Sequence, residues 1–423
     1  MPFIIRAFPL WFIFTIFSSN YTGAADMTSG FHRDEAMQML ELSAELNGYG
    51  VQDAPSVDTS NWEPIKEEGA DPSNTEGEGG FGPFNNRWKL WQRTNSNEYA
   101  VVIRGTIYDK HKQSIEEDLL ANTLPAEKVV IPAGTSRSIS FRLASTAYRY
   151  DEGANWPVPE VHAGFAYGLA AILFDGTRGL VKALNKNVPN GSILFITGHS
   201  QGAAIATLLH SFLHYACADG KYKTAREEDR GNYSECARFG LTDKHWEIKS
   251  YVFAQPKPGN WRYAMDLAQA VGNPGMFYAV NNYADPITQV PLAFQLLSDS
   301  LTQQEADAIG KHRFLHFLMS VAGAFRKEVS SVLDEQELDK HFFEKHGSTN
   351  TPYADQIDTS FANGPKKTKS NGGTSLNYTP VGNIIAVRPC KEDNDEKYKQ
   401  TRSRDFLWEH HLWRYKQLSK YWP

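Results

Sequence analysis

Four short stretches of this chain are almost wholly apolar, and each runs into a turn or a helical pattern. Glu98, Tyr99, Ala100, Val101, Val102 and Ile103 form a run rich in β-branched residues that halts at Arg104, Gly105 and Thr106. Residues 191–197 form a second run, with Ile193, Leu194, Phe195 and Ile196 at its centre. Residues 249–253 and 276–280 form two more. Runs of this length and content predict buried strands. The second leads directly into a segment with Ala203, Ala204, Leu208, Leu209 and Phe212 apolar, which predicts a helix. Strands alternating with helices point to an α/β domain around a mostly parallel central sheet flanked by helices.

The remaining patterns add to that scaffold. Residues 34–46 carry Met37, Leu40, Leu42 and Leu46 on a background of Glu and Gln, an amphipathic helix stopped at Asn47-Gly48. Residues 67–86 are acidic and rich in Gly, Pro and Asn, which reads as an exposed loop. Two insertions are expected, at about 124–159 and 292–380. In the first, the alternation over 138–143 predicts an extra strand or hairpin. In the second, Phe314, Leu315, Phe317, Leu318, Val321, Phe325 and Val329 predict helix, followed by a polar tract over 346–377 that reads as a loop, with a binding surface as the other reading.

The N-terminus has a texture of its own. Arg6 precedes an apolar run from Phe8 to Phe17, and small residues follow as far as Ala24 and Ala25. That is the layout of a secretory signal peptide over residues 1–25. The run is short for a membrane span, although a retained anchor is the alternative. The expectation is an exported protein, secreted or periplasmic, with 26–423 as one domain and no span in the mature chain. Export would let Cys217 and Cys236 close a loop worth about 3 kcal/mol in the chain-entropy model, leaving Cys390 over. Three reduced thiols are the equal alternative, because a chain this long needs no staple. Asn190, Asn232 and Asn377 begin glycosylation sequons. The net charge of -6, with both signs spread along the chain, provides no basic face for nucleic acid.

The candidate chemistry centres on Gly198-His199-Ser200-Gln201-Gly202. Gly-x-Ser-x-Gly alone is a weak signal, but here a predicted strand feeds it and a helix opening on small residues leaves it. That context describes a nucleophile elbow, in which the flanking glycines allow close backbone approach and the helix N-terminus favours a developing oxyanion. A serine hydroxyl needs a base. His199 adjoins it, but neighbours on a tight turn point apart, so His199 reads as a packing or supporting group. In the order Ser, acid, His, the acid is Asp285, just past the strand at 276–280. His312 and His316 lie one turn apart on a predicted helix and read as helix-face residues. The base therefore falls to His411 or its neighbour His410. No His-Glu-x-x-His or Cys/His spacing speaks for a metal, and no cofactor is expected.

With these residues assembled, the chain resembles the class 3 lipases, the fungal-type lipase family of the α/β-hydrolase fold. Residues 101–106 resemble the family's strand and oxyanion turn, and 114–119 the lid segment after it. Val161-His162-Ala163-Gly164-Phe165, the Ser200 turn, the block 253–260 and the acid loop 281–291 are similar in turn. His411-Leu412-Trp413 followed by Tyr415 resembles the histidine segment, which favours His411 over His410. The resemblance implies a triad of Ser200, Asp285 and His411, with Thr106 and Gln201 as oxyanion donors. It implies a lipase that cleaves carboxylic esters of acylglycerols at a lipid–water interface, under a lid near 107–122. The alternatives are a phospholipase, an esterase of soluble esters, or a non-catalytic lipid- or protein-binding member. Ala203 and Ala254 stand where the family favours glycine, and the span from Asp285 to His411 is longer than usual.

Overall fold

The computed structural model describes residues 28–50, 54–65, 86–106, 123–132, 138–145, 158–174, 179–217, 240–241, 244–272, 275–291, 378–388, 405 and 407–423. The expected signal peptide, the lid segment, the helical pattern of the second insertion, His312, His316, Cys236, Cys390, Asn232 and Asn377 lie outside the described residues. Among the described residues, no helix is long and apolar enough to cross a membrane.

The chain opens with helix α1 (Arg33–Asn47), as its amphipathic pattern predicts. Strands β1 (Trp62–Pro64), β2 (Trp88–Arg93) and β3 (Glu98–Ile103) follow as an antiparallel meander. β4 (Thr123–Pro125), β5 (Val129–Pro132) and β6 (Ser138–Phe141) fall in the stretch expected as the first insertion, and β5 and β6 pair antiparallel where an extra strand or hairpin was expected. β7 (Glu160–His162) leads into α2 (Ala163–Phe174) and α3 (Leu180–Asn187). Next come β8 (Ile193–His199), α4 (Gln201–Cys217), β9 (Glu247–Phe253), β10 (Gly259–Asn260), α5 (Trp261–Leu267) and β11 (Phe277–Asn282). β12 (Tyr378–Thr379), β13 (Asn383–Val387) and α6 (Leu412–Leu418) complete the order.

The main sheet has seven strands in the order β1-β2-β3-β8-β9-β11-β13. From β3 to β13 every pair is parallel. The β1–β2 and β2–β3 pairs at one edge are antiparallel, so β2 alone runs against the others. Side chains of a strand alternate between faces, and the core divides accordingly. Val101, Ile103, Leu194, Ile196, Val252, Phe277 and Ala279 face one layer, with apolar residues of α2, α3, α4 and α5. Ala100, Val102, Ile193, Phe195, Tyr251, Phe253, Tyr278 and Val280 face the other, with Met39 and Leu40 of α1 and Leu412, Tyr415 and Leu418 of α6. Each large apolar side chain buried this way contributes roughly 1.5–3 kcal/mol. A parallel sheet covered on both faces is the expected α/β-hydrolase arrangement. A second sheet has the order β12-β10-β7-β4 and joins residues 123–125 and 160–162 to residues 378–379. The carboxyl ends of β3, β8 and β11 converge at one edge of the main sheet, and the candidate site lies there.

Candidate active site

Ser200 occupies the single-residue turn between β8 and α4, with φ at +58°. For a residue with a β-carbon that conformation costs roughly 1–2 kcal/mol, so surrounding structure must impose it. The Ser200 N–H donates to the Phe253 carbonyl at 3.0 Å, and the Ser200 carbonyl accepts the Ala203 N–H at 2.8 Å. The flanking glycines are required by contact rather than by torsion. A β-carbon at Gly198 would lie 2.4 Å from the Gly202 carbonyl oxygen, and one at Gly202 would lie 2.3 Å from that of Ile103. Strand β3, the nucleophile turn and the start of α4 thus meet through bare backbone.

The acid arrives from the next strand but one. Asp285 follows β11 and is 1 % exposed. Its Oδ1 accepts the Ile287 N–H at 2.9 Å, its own N–H donates to the Asn282 carbonyl at 3.0 Å, and its Oδ2 faces His410.

The structure corrects one member of the expected triad. His410, not His411, reaches Ser200: its Nε2 is 2.9 Å from Ser200 Oγ and its Nδ1 is 2.9 Å from Asp285 Oδ2. Because a carboxylate only accepts, the Nδ1–H donates to Asp285 and Nε2 is left to accept the Ser200 hydroxyl. His411 instead places Nε2 2.7 Å from Asp405 Oδ2, and its ring packs so closely on Gly50 that a β-carbon there would lie 2.2 Å from Nδ1. The physical reason is the backbone. His410 ends a 3-10 turn over Trp408–His410, while His411 is the extended residue before α6, with ψ at 139°. The change of conformation between them sends adjacent side chains to different sides.

Long-range bonds hold the turn in that register. Asn282 Nδ2 donates to the Glu409 carbonyl at 3.0 Å and to its Oε2 at 2.6 Å. His199 donates from Nε2 to the His410 carbonyl at 2.7 Å, and the two rings lie 4.5 Å apart. Burial, and then the neighbouring His410, pushes the His199 pKa well below its usual value, so His199 is a neutral donor. This agrees with its expected supporting place. Tyr415 OH donates to Asp285 Oδ2 at 2.8 Å while accepting the Asn282 N–H at 3.0 Å. Burial, and then Asp285, raises the Tyr415 phenol well above its usual pKa, keeping it protonated. The parts played by Asn282 and Tyr415 were not apparent from the sequence, where both stood only inside resembling blocks.

The two expected oxyanion donors flank this arrangement. Gln201 opens α4 and is 1 % exposed. N–H groups there point out of the helix end. Thr106 is half-buried and follows Gly105, whose added β-carbon would lie 3.2 Å from Ser200 Cβ. Among the described residues, no group of three or more His, Cys, Asp or Glu side chains is placed to hold a metal ion. The arrangement is that of an activated serine: a hydroxyl, a base in contact with it, and a buried carboxylate orienting the base.

Comparison with known proteins bears on this geometry. Residues 100–295 match the family described as Lipase (class 3). No curated protein sequence matches the chain. Among solved structures, the chain is similar to a fungal lipase in complex with an inhibitor, at 16% identity, covering 62% of this chain and 74% of that one, with a TM-score of 0.36. It is likewise similar to the Lip2 lipase of Yarrowia lipolytica (16% identity, 62% and 76% covered, TM-score 0.36) and to the triacylglyceride lipase of Rhizomucor miehei (17%, 62% and 74%, TM-score 0.33). The sequence match spans β3, the Ser200 turn and the Asp285 loop. Over residues 100–295, somewhat less than half of its length, this protein is similar to the class 3 lipase family.

Proposed function

We propose that this ester hydrolase works through a triad of Ser200, His410 and Asp285, and that its substrates are lipid esters of the acylglycerol class. The observation that carries the reading is the unbroken chain of two 2.9 Å contacts from Ser200 Oγ through His410 to Asp285 Oδ2. His410 takes the hydroxyl proton as Ser200 attacks the ester carbonyl. Asp285 holds the imidazole in the required tautomer and stabilises its cation. The backbone N–H of Gln201, together with the backbone and hydroxyl of Thr106, receives the oxyanion of the tetrahedral intermediate. His410 then returns the proton to the departing alcohol, and water releases the acid from the acyl-enzyme by the same steps in reverse roles.

The match of residues 100–295 to the class 3 lipases supports a lipid ester, and export of the mature chain and action at a lipid–water interface complete the proposal. In a folded S200A variant, ester turnover should fall by about 10⁴-fold or more, and labelling by a fluorophosphonate should vanish. Undiminished turnover would refute the triad. A panel of triacylglycerols, phospholipids and short soluble esters, with and without detergent, tests the substrate class. Faster hydrolysis of phospholipids or soluble esters than of acylglycerols would move the assignment to a phospholipase or esterase with the same triad.

A further inference from the structure

We propose that Asn47, the last residue of α1, is a positioning residue of the oxyanion hole. The inference rests on the triad and oxyanion reading above and extends it to a side chain that touches none of the reacting atoms. Asn47 Oδ1 accepts the Gly105 N–H at 2.7 Å, and Asn47 Nδ2 donates to the Ser43 carbonyl at 2.7 Å, one turn back in α1. The amide is held at both ends, so its oxygen has one orientation.

The helix that carries it is registered on the nucleophile strand. Ser43 Oγ lies 3.1 Å from Thr197 Oγ1, and the Thr197 hydroxyl lies 3.4 Å from the Met39 carbonyl. Thr197 precedes Ser200 by three residues on β8. Asn47 therefore ties the turn after β3 to the strand that delivers the serine, although the two arrive from separate parts of the chain.

The turn has no slack of its own. A β-carbon at Gly105 would lie 2.7 Å from the His199 carbonyl oxygen, 3.2 Å from Ser200 Cβ and 3.4 Å from Asn47 Oδ1. Gly105 is wedged between the nucleophile turn and Asn47, and Thr106 is the next residue. Rotation of the Arg104–Gly105 peptide would swing the Thr106 N–H and hydroxyl away from the carbonyl they are to receive. Oxyanion donors contribute to rate only when fixed before the charge develops. By bonding the Gly105 N–H, Asn47 removes the rotation that would bring it to water.

The test measures kcat and KM separately for N47A, N47S and N47D on a soluble activated ester, with S200A alongside and thermal unfolding of each. Loss of a whole oxyanion donor costs about 10²–10³-fold in kcat, so N47A should lose about 10–100-fold with KM within about 3-fold. N47D keeps an acceptor for Gly105 but loses the bond to the Ser43 carbonyl, and should be severalfold faster than N47A without reaching the wild type. N47S, whose hydroxyl bonds back to its own helix and stops short of Gly105, should behave as N47A does. A folded N47A at the wild-type rate overturns the inference, and so does a folded N47D as slow as N47A. Should N47A fail to fold, the ratio of N47D to N47S is read instead, and a ratio near one overturns it. Hydrolysis by S200A would bring down the triad and Asn47 together, whereas an inert S200A with a fully active N47A would remove Asn47 alone.

Discussion

The nucleophile turn and the histidine turn meet across 2.9 Å, yet different physics places each of them. The turn at 198–202 is shaped by exclusion. Gly198 is pressed on Gly202 and Gly202 on Ile103, and no other residue type leaves room. The turn at 408–411 is shaped by attraction, through bonds from Asn282, His199 and Asp285, all more than a hundred residues earlier in the chain. Exclusion marks the sequence at the position where it acts, because it demands glycine. Attraction from afar selects one of two adjacent histidines and leaves no mark on either.

Exchanging the two histidines breaks this comparison most sharply. H410A should lower kcat by about 10³–10⁵-fold, while H411A stays within about 3-fold of the wild type. Steady-state ester hydrolysis on the two folded variants decides, and the reverse ranking would return the base to His411. On the side of exclusion, G202A forces a β-carbon against a backbone carbonyl that has nowhere to go. It should cost about 3 kcal/mol or more in denaturant unfolding. A small cost would mean that the close approach of β3 and α4 is not what holds the turn.

A gentler change probes the side of attraction. Y415F removes one of the three hydrogen bonds to the Asp285 side chain while keeping the ring, and should lower kcat about 3–10-fold with little change in KM. An unaltered kcat would show that Ile287 and His410 suffice to orient the carboxylate. The smallest expected effect returns to exclusion. Ala254, beside the Phe253 carbonyl that receives the Ser200 N–H, holds φ at +53°. Relief of its strain offsets both the entropy that glycine loses on folding and the buried methyl given up, so A254G should be no less stable than the wild type. A lower melting temperature would contradict that.

The same division explains what could be read in advance. The runs at 98–103, 193–199, 247–253 and 277–282 are central strands buried on both faces, and continuous apolar runs are how such strands are written. The edge strands were harder to see. β2 reads Trp-Lys-Leu-Trp-Gln-Arg and is only partly buried, and β13 alternates half-buried with exposed residues up to Val387. α2 was missed for the opposite reason: it is buried on almost every side, so no polar face marks its period. Ser200 and Asp285 were legible because a strained turn and a strand end position each of them locally. The proposed base was not, since resemblance in the residues around His411 aligns the segment but does not say which imidazole faces inward. Asn47 reads in the sequence only as a helix stop, because its partner is 58 residues away on another element.

The imidazole of His199, tilted against His410, also decides where a proton can rest. Burial penalises a cation on His199, and a charge on His410 penalises it further. In the proposed acyl transfer the proton drawn from Ser200 therefore has no second ring to migrate to, and it remains on His410, the ring in contact with the serine. A relay of imidazoles toward solvent is closed, and one proton is in flight at a time. In mixtures of light and heavy water the rate of acylation should then fall in a straight line with deuterium fraction, the signature of a single transferred proton.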